Sequence, residues 1–98
     1  MAGERKGWIP CKATKGLFEE EAFVILDWLA APVSAILNQE CLAHKPKGAD
    51  LEDNHVVSYI IGTKGDDFIV ELPGEPVVGG LRAIVSKDMI SMAEEQTA

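Results

Sequence analysis

The chain has 98 residues, of which 47% are hydrophobic and 26% charged, and its formal net charge is −7. That length makes one domain with one core, too small for a large internal active site, and the composition excludes a disordered or fibrous chain. No apolar run approaches the ~20 residues needed to cross a bilayer, and the acidic balance repels phosphate backbones, so neither a membrane nor a nucleic-acid partner is expected.

The first predicted element is a strand over residues 8–13, which Pro10 places at a sheet edge because it cannot donate to a ladder. It is entered from Met1–Lys6 without the apolar stretch of a signal peptide, so a cytoplasmic location is expected. Residues 17–31 carry two patterns. Phe18, Ala22, Leu26 and Leu29 recur at helical spacing behind the acidic run Glu19, Glu20 and Glu21, whereas Phe23, Val24, Ile25 and Leu26 form a continuous apolar run of strand type. Residues 33–37 read as a strand, and 43–55 as a polar, turn-rich exposed linker. His55 to Ile61 is rich in β-branched and aromatic residues and stops at a Gly62-Thr63-Lys64-Gly65 turn. Residues 68–72 form the next strand. Pro73-Gly74-Glu75-Pro76 forbids both helix and central strand, and Gly79-Gly80 reads as a β-turn or bulge. Residues 81–85 are a further strand, followed at 86–90 by a short helical turn capped by Ser86, and Met92 to Ala98 is a polar, frayed tail.

An internal comparison decides between the two patterns at 17–31. Residues 33–42 lie without gaps on 81–90, Ala13-Thr14-Lys15-Gly16 lies on Gly62-Thr63-Lys64-Gly65, and Phe23-Val24-Ile25 on Phe68-Ile69-Val70. Residues 8–42 and 56–90 are thus expected to be two related three-strand units of a single domain spanning 1–98. A strand is expected around residue 23, with an α+β fold carrying a helix at 17–31 as the alternative. Three short strands cannot bury their own apolar face, whereas two such units packed together can. The expected fold is mainly β, a compact small barrel or sandwich of about six strands with short helical turns.

The run from Glu71 to Ile90 (strand, Gly-containing loop, strand, single helical turn) resembles the closing part of SH3-like barrels, over these twenty residues. The resemblance implies a small β-barrel. The chain departs from peptide-binding SH3 domains in showing no acidic and aromatic cluster of the kind that holds proline-rich ligands, so the resemblance carries no function.

Chemistry is sparse. Two cysteines, Cys11 and Cys41, are too few for a disulfide framework, although one bridge would form if their strands met. Cys41 and His44 are three residues apart, and Cys11 and His55 would complete a zinc set, but structural zinc sites use paired close spacings and only one close pair exists. The same pair as nucleophile and base lacks an oxyanion loop and a third orienting group. Glu19, Glu20 and Glu21, like Asp66 and Asp67, read as solvated charges that guard strand ends, with paired-carboxylate acid–base work as the alternative. The glycines do not make a phosphate loop, because no Gly-Lys-Ser/Thr follows them. No catalytic residue, metal ligand or cofactor is therefore assigned.

The aromatic residues are core anchors or the walls of a binding groove. On this reading the candidate contact residues are Trp8, Phe18, Trp28 and Tyr59, joined by Pro73 and Glu75 from the 73–80 loop. The expected function is a small non-enzymatic binding module that engages a protein partner or self-associates. One alternative is a pocket for a small organic or cationic ligand steered by the acidic second half, which holds ten acidic and three basic side chains. A further alternative is a small enzyme using Cys41, His44 or the glutamates.

Overall fold

A computed structural model describes residues 5–92 of the chain. The described residues form eight strands: β1 (Arg5–Lys15), β2 (Glu21–Leu26), β3 (Val33–Asn38), β4 (Glu52–Lys64), β5 (Asp67–Glu71), β6 (Glu75–Val78), β7 (Arg82–Ser86) and β8 (Ser91–Met92). One 3-10 turn (Gln39–Cys41) follows β3 and another (Lys87–Met89) follows β7. The fold is mainly β, as the residue pattern requires, and residues 17–31 hold β2 and its flanking turns in place of the alternative helix.

All pairings are antiparallel, in the order β6-β3-β2-β1-β4-β5-β7, with β8 added to β1. The connectivity itself curls this sheet into a half-barrel. β6 and β7 stand at opposite ends of the order, yet Val78 ends one and Arg82 begins the other. Four residues span at most about 14 Å when fully extended, so the two ends of the sheet must come close together.

Alternation sets the inner face. Ile9, Cys11 and Ala13 of β1, Ala22, Val24 and Leu26 of β2, and Val33, Ala35 and Leu37 of β3 are all buried. Val56 of β4, Phe68 and Val70 of β5, Leu72, Val85 of β7, and Leu42 and Ile90 after the two 3-10 turns complete the core. Burying a Val, Leu, Ile or Phe side chain in this way contributes about 1.5–3 kcal/mol each. Ser58 is fully buried among them, and its hydroxyl donates to the Gly7 carbonyl at 3.1 Å, which meets its polar requirement.

The structure differs from the sequence reading in several places, each with a physical reason. β1 is a central strand, paired with β4 from Arg5 to Ala13 and, on its other side, with β8 at Gly7–Trp8 and β2 at Lys12–Lys15. Pro10 lies in the gap between those last two partners. Its carbonyl points into the gap, where the Trp28 indole Nε1 donates to it at 2.7 Å. The N and C=O of a strand residue share one side, so the missing N–H faces the gap too and the β4 ladder loses nothing. β4 begins at Glu52, so the linker is residues 43–51. It is tied down by Asn54, whose side chain bonds the backbone of His44, and by Gly48, whose carbonyl accepts from the Lys15 amide and the Thr14 hydroxyl. β4 also continues through Gly62, Thr63 and Lys64 past a bulge at residue 61, which leaves a two-residue turn at Gly65-Asp66.

In the middle strands, Phe23 faces away from the core and Phe68 into it. Burial therefore matches Ala22, Val24 and Leu26 with Phe68, Val70 and Leu72, a one-residue shift from the sequence alignment. The strand β6 was not expected. Its four exposed residues, with Pro76 among them, suit a sheet edge. The short turn capped by Ser86 is present, its hydroxyl accepting from the Asp88 amide at 3.3 Å. Of the tail that begins at Met92, the residues after it lie outside the described range.

Candidate functional site

The β1–β2 loop is held by three backbone bonds: the Gly16 amide donates to the Glu21 carbonyl, the Glu21 amide to the Phe18 carbonyl, and the Gln39 amide to the Glu20 carbonyl at 2.8 Å. The buried side chain of Gln39 adds a fourth, its Nε2 donating to the Glu21 carbonyl at 3.1 Å. These bonds fix the acidic turn against the end of β3 and its 3-10 turn. On the other side of β3, β6 pairs in the register Ile36↔Glu75, which carries a fourth glutamate to the same place.

Glu75 gets there because Gly74 adopts φ +100 and passes directly over β3. A Cβ on Gly74 would come within 2.8 Å of the Leu37 Cβ and closer still to the Ile36 carbonyl oxygen. Only glycine fits that approach and that dihedral.

The result is an open cleft of about 520 Å³ lined by Glu19, Glu20, Glu21 and Glu75 together with Phe18, Ile36, Leu37 and Asn38. Phe18 is 69% exposed, an unusual state for a phenylalanine. Among the described residues the ion pairs are His44–Glu52 and Arg82–Glu71, so none of the four cleft carboxylates has a cationic partner there. Nor, among the described residues, does any group of three or more His, Cys, Asp or Glu side chains gather closely enough to hold a metal ion. Carboxylates spread around an apolar floor and an open aromatic ring suit a cation larger than a metal ion, one with a hydrocarbon portion.

Of the six candidate contact residues, the structure brings Phe18 and Glu75 together. Pro73 is half-buried and leads into Gly74 beside them. Trp8 and Tyr59 lie on the outer face of the β1–β4 pair, Trp8 opposite Val57 and Tyr59 opposite Lys6, whose Nζ stands 5.7 Å from the centre of its ring. Trp28 is half-buried against the core with its indole N–H committed to Pro10. The residues that sequence reasoning missed are Ile36, Leu37 and Asn38. The acidic run was visible, but an acidic and aromatic cluster was not, because its fourth carboxylate arrives from 54 positions after Glu21.

The thiols offer little chemistry. Both cysteines are free. Burial pushes the Cys11 thiol up to about 12, and burial likewise raises Cys41, with Glu40 adding to it and a backbone hydrogen bond at Asn38 opposing. A thiol held protonated is a poor nucleophile. His44 is exposed, with its Nε2 4.0 Å from a Glu52 carboxylate oxygen.

Comparison of the chain with protein-family models, with curated proteins and with solved structures gives no match.

Proposed function

We propose that this chain is a small non-enzymatic binding module that engages a basic segment of a protein partner in the cleft between the β1–β2 loop and β6. The observation that carries the reading is the set of four carboxylates, without cationic partners among the described residues, around the exposed Phe18 ring and Ile36. A lysine or arginine side chain would lay its methylenes on Ile36 and its charge over Phe18 and among the glutamates. A volume near 520 Å³ lies within the range of small-ligand sites, so a free organic cation is the second reading, favoured by the same exposed ring.

The fold-level part of the proposal is an SH3-like barrel of two related units. Two observations support it. Asn38 and Ser86 each cap a 3-10 turn, the first at the end of β3 and the second at the end of β7. The chain then returns to pair at Leu42 with β4 and at Ser91 with β1.

The test is fluorescence anisotropy with a labelled peptide of mixed lysine and arginine, alongside benzyltrimethylammonium followed by methyl chemical shifts. Peptide binding is expected to weaken with added salt, to fall about two- to five-fold in Phe18→Ala, and to fall further in Glu20→Gln/Glu75→Gln. Asp27→Asn, outside the cleft, is the control. Shifts centred away from Ile36 and Leu37, or variants that bind as the parent does, would overturn the reading. Binding of the small cation without the peptide would select the second one.

A further inference from the structure

The two ends of the sheet are treated very differently. β6 is short, contains Pro76, and joins β3 through a register shift between Ser34 and Ala35. These devices make an edge a poor template for another strand. β7 has none of them. Its five residues pair with β5 in unbroken register from Asp67↔Ser86 to Glu71↔Arg82, without proline or bulge, and among the described residues it has a ladder partner on one side only.

The hydrogen-bond phase shows what that open side offers. One step beyond the Glu71↔Arg82 pair, the Leu72 amide donates to the Leu81 carbonyl at 2.8 Å. Bonded and non-bonded pairs alternate along an antiparallel ladder. Val70↔Ala83 and Phe68↔Val85 are therefore bonded pairs, and the N–H and C=O groups of Arg82, Ile84 and Ser86 face away from β5, towards the open side.

We infer that a second copy of this chain pairs there, β7 against β7 in antiparallel register about Ile84, to form a weak symmetric dimer. Pairing about Ile84 sets Arg82 opposite the second copy's Ser86 and lets the three facing pairs exchange about six backbone hydrogen bonds. The outer face then matches in each row. Ile84, 48% exposed, meets its own copy, and with Ile69 flanking it on each side the row becomes a four-isoleucine stripe across the seam. Arg82, which holds Glu71 at 3.9 Å, comes to lie between Glu71 and the second copy's Asp67. No like charges face each other across the twofold, and on the inner face Ala83 meets Val85. The contact is isologous and closes on itself, so it ends at two copies. Five residues bury less than the ~1,200 Å² of a stable interface, so a Kd of roughly 10–1,000 µM is expected.

Sedimentation equilibrium of the full chain, with amide hydrogen exchange across the same concentration series, tests this. A monomer–dimer equilibrium is expected. Exchange at the amides of Arg82, Ile84 and Ser86 should slow as concentration rises, while Ala83 and Val85 stay protected throughout. Ile84→Lys, which sets two like charges opposite each other at an exposed position, is expected to weaken the dimer about tenfold or more. Three results would each overturn the inference: a wild-type monomer at every concentration, concentration-independent exchange at Arg82, Ile84 and Ser86, or protection that grows at β6 instead. The exchange measurement needs no variant, so a misfolded Ile84→Lys would leave the inference open to refutation.

Discussion

Replacing three glycines by alanine, one at a time, separates two costs that the cleft depends on. Gly48 has no positive φ and nothing within 4 Å of where a Cβ would stand. Its Ala variant should stay within about 0.5 kcal/mol of the parent. Gly65 also has open space, but sits at φ +61 in the two-residue turn between β4 and β5. Alanine there meets only the left-handed backbone cost, about 1–2 kcal/mol. Gly74 carries both costs: φ +100, and a Cβ pressed on the Leu37 Cβ and the Ile36 carbonyl. Adding about 1–3 kcal/mol of overpacking gives a loss of about 2–5 kcal/mol. At about 4–8 °C per kcal/mol for a domain of this size, the melting midpoint should drop by roughly 8–40 °C. Urea unfolding followed by tryptophan fluorescence, with circular dichroism for the midpoints, reads all three. If Gly74→Ala costs no more than Gly65→Ala, the crossing over β3 is not a tight one, and the argument that Gly74 delivers Glu75 to the cleft fails.

Two further expectations concern buried groups. Unfolded, Cys11 gives up its proton near 9.0, but folded it keeps it until about 12. Its contribution to stability is therefore complete below pH 9 and is lost as pH rises towards 12, at no more than about 1.4 kcal/mol per pH unit. Urea titrations across that window should give a shallower loss for Cys11→Ala than for the parent, and equal slopes would refute the assignment. Asn54 is 3% exposed, and its side chain donates to the His44 carbonyl at 2.8 Å while accepting from the His44 and His55 amides. Asn54→Ala should cost about 1–3 kcal/mol and speed tryptic cleavage after Lys47, and an unchanged cleavage rate would show that the loop is held by other means.

What the sequence made legible was local. β5, β7 and the Ser86-capped turn follow from alternation and a cap within a few residues of each other, so they stood out. β2 carried both a helical and a strand period, and only comparison with the second half favoured the strand. The assignment of Pro10 to an edge misread the strand position, because a break in the partners of a central strand, filled by Trp28, leaves no trace in residues 8–13. At the site, Phe18, Glu75 and the glutamate run were each visible. Their meeting depends on β6 pairing with β3, a contact between residues about forty apart, and nothing near either end announces it. Proline at 76 argued against a central strand and gave no sign of an edge one.

The prolines turn out to map where the backbone can do without a donor. Pro10 faces the gap that the Trp28 indole fills, Pro46 lies in the loop pinned by Asn54, and Pro32 stands just before β3. Pro73 precedes the Gly74 crossing, and Pro76 lies on the terminal strand β6. Each proline sits where a ladder is absent or ends, but the two ends of the sheet differ in this. One opening, at β6, is blunted by Pro76 and borders the acidic cleft. The other, at β7, carries no proline, leaves three residues with both backbone groups turned outward, and shows an isoleucine at its centre. A charged cleft recognises side chains and needs no backbone ladder, so it tolerates a proline-bearing wall. An edge that adds a strand cannot. The placement of Pro76 therefore fits the two modes proposed for the two ends: side-chain recognition beside β6, strand addition on β7.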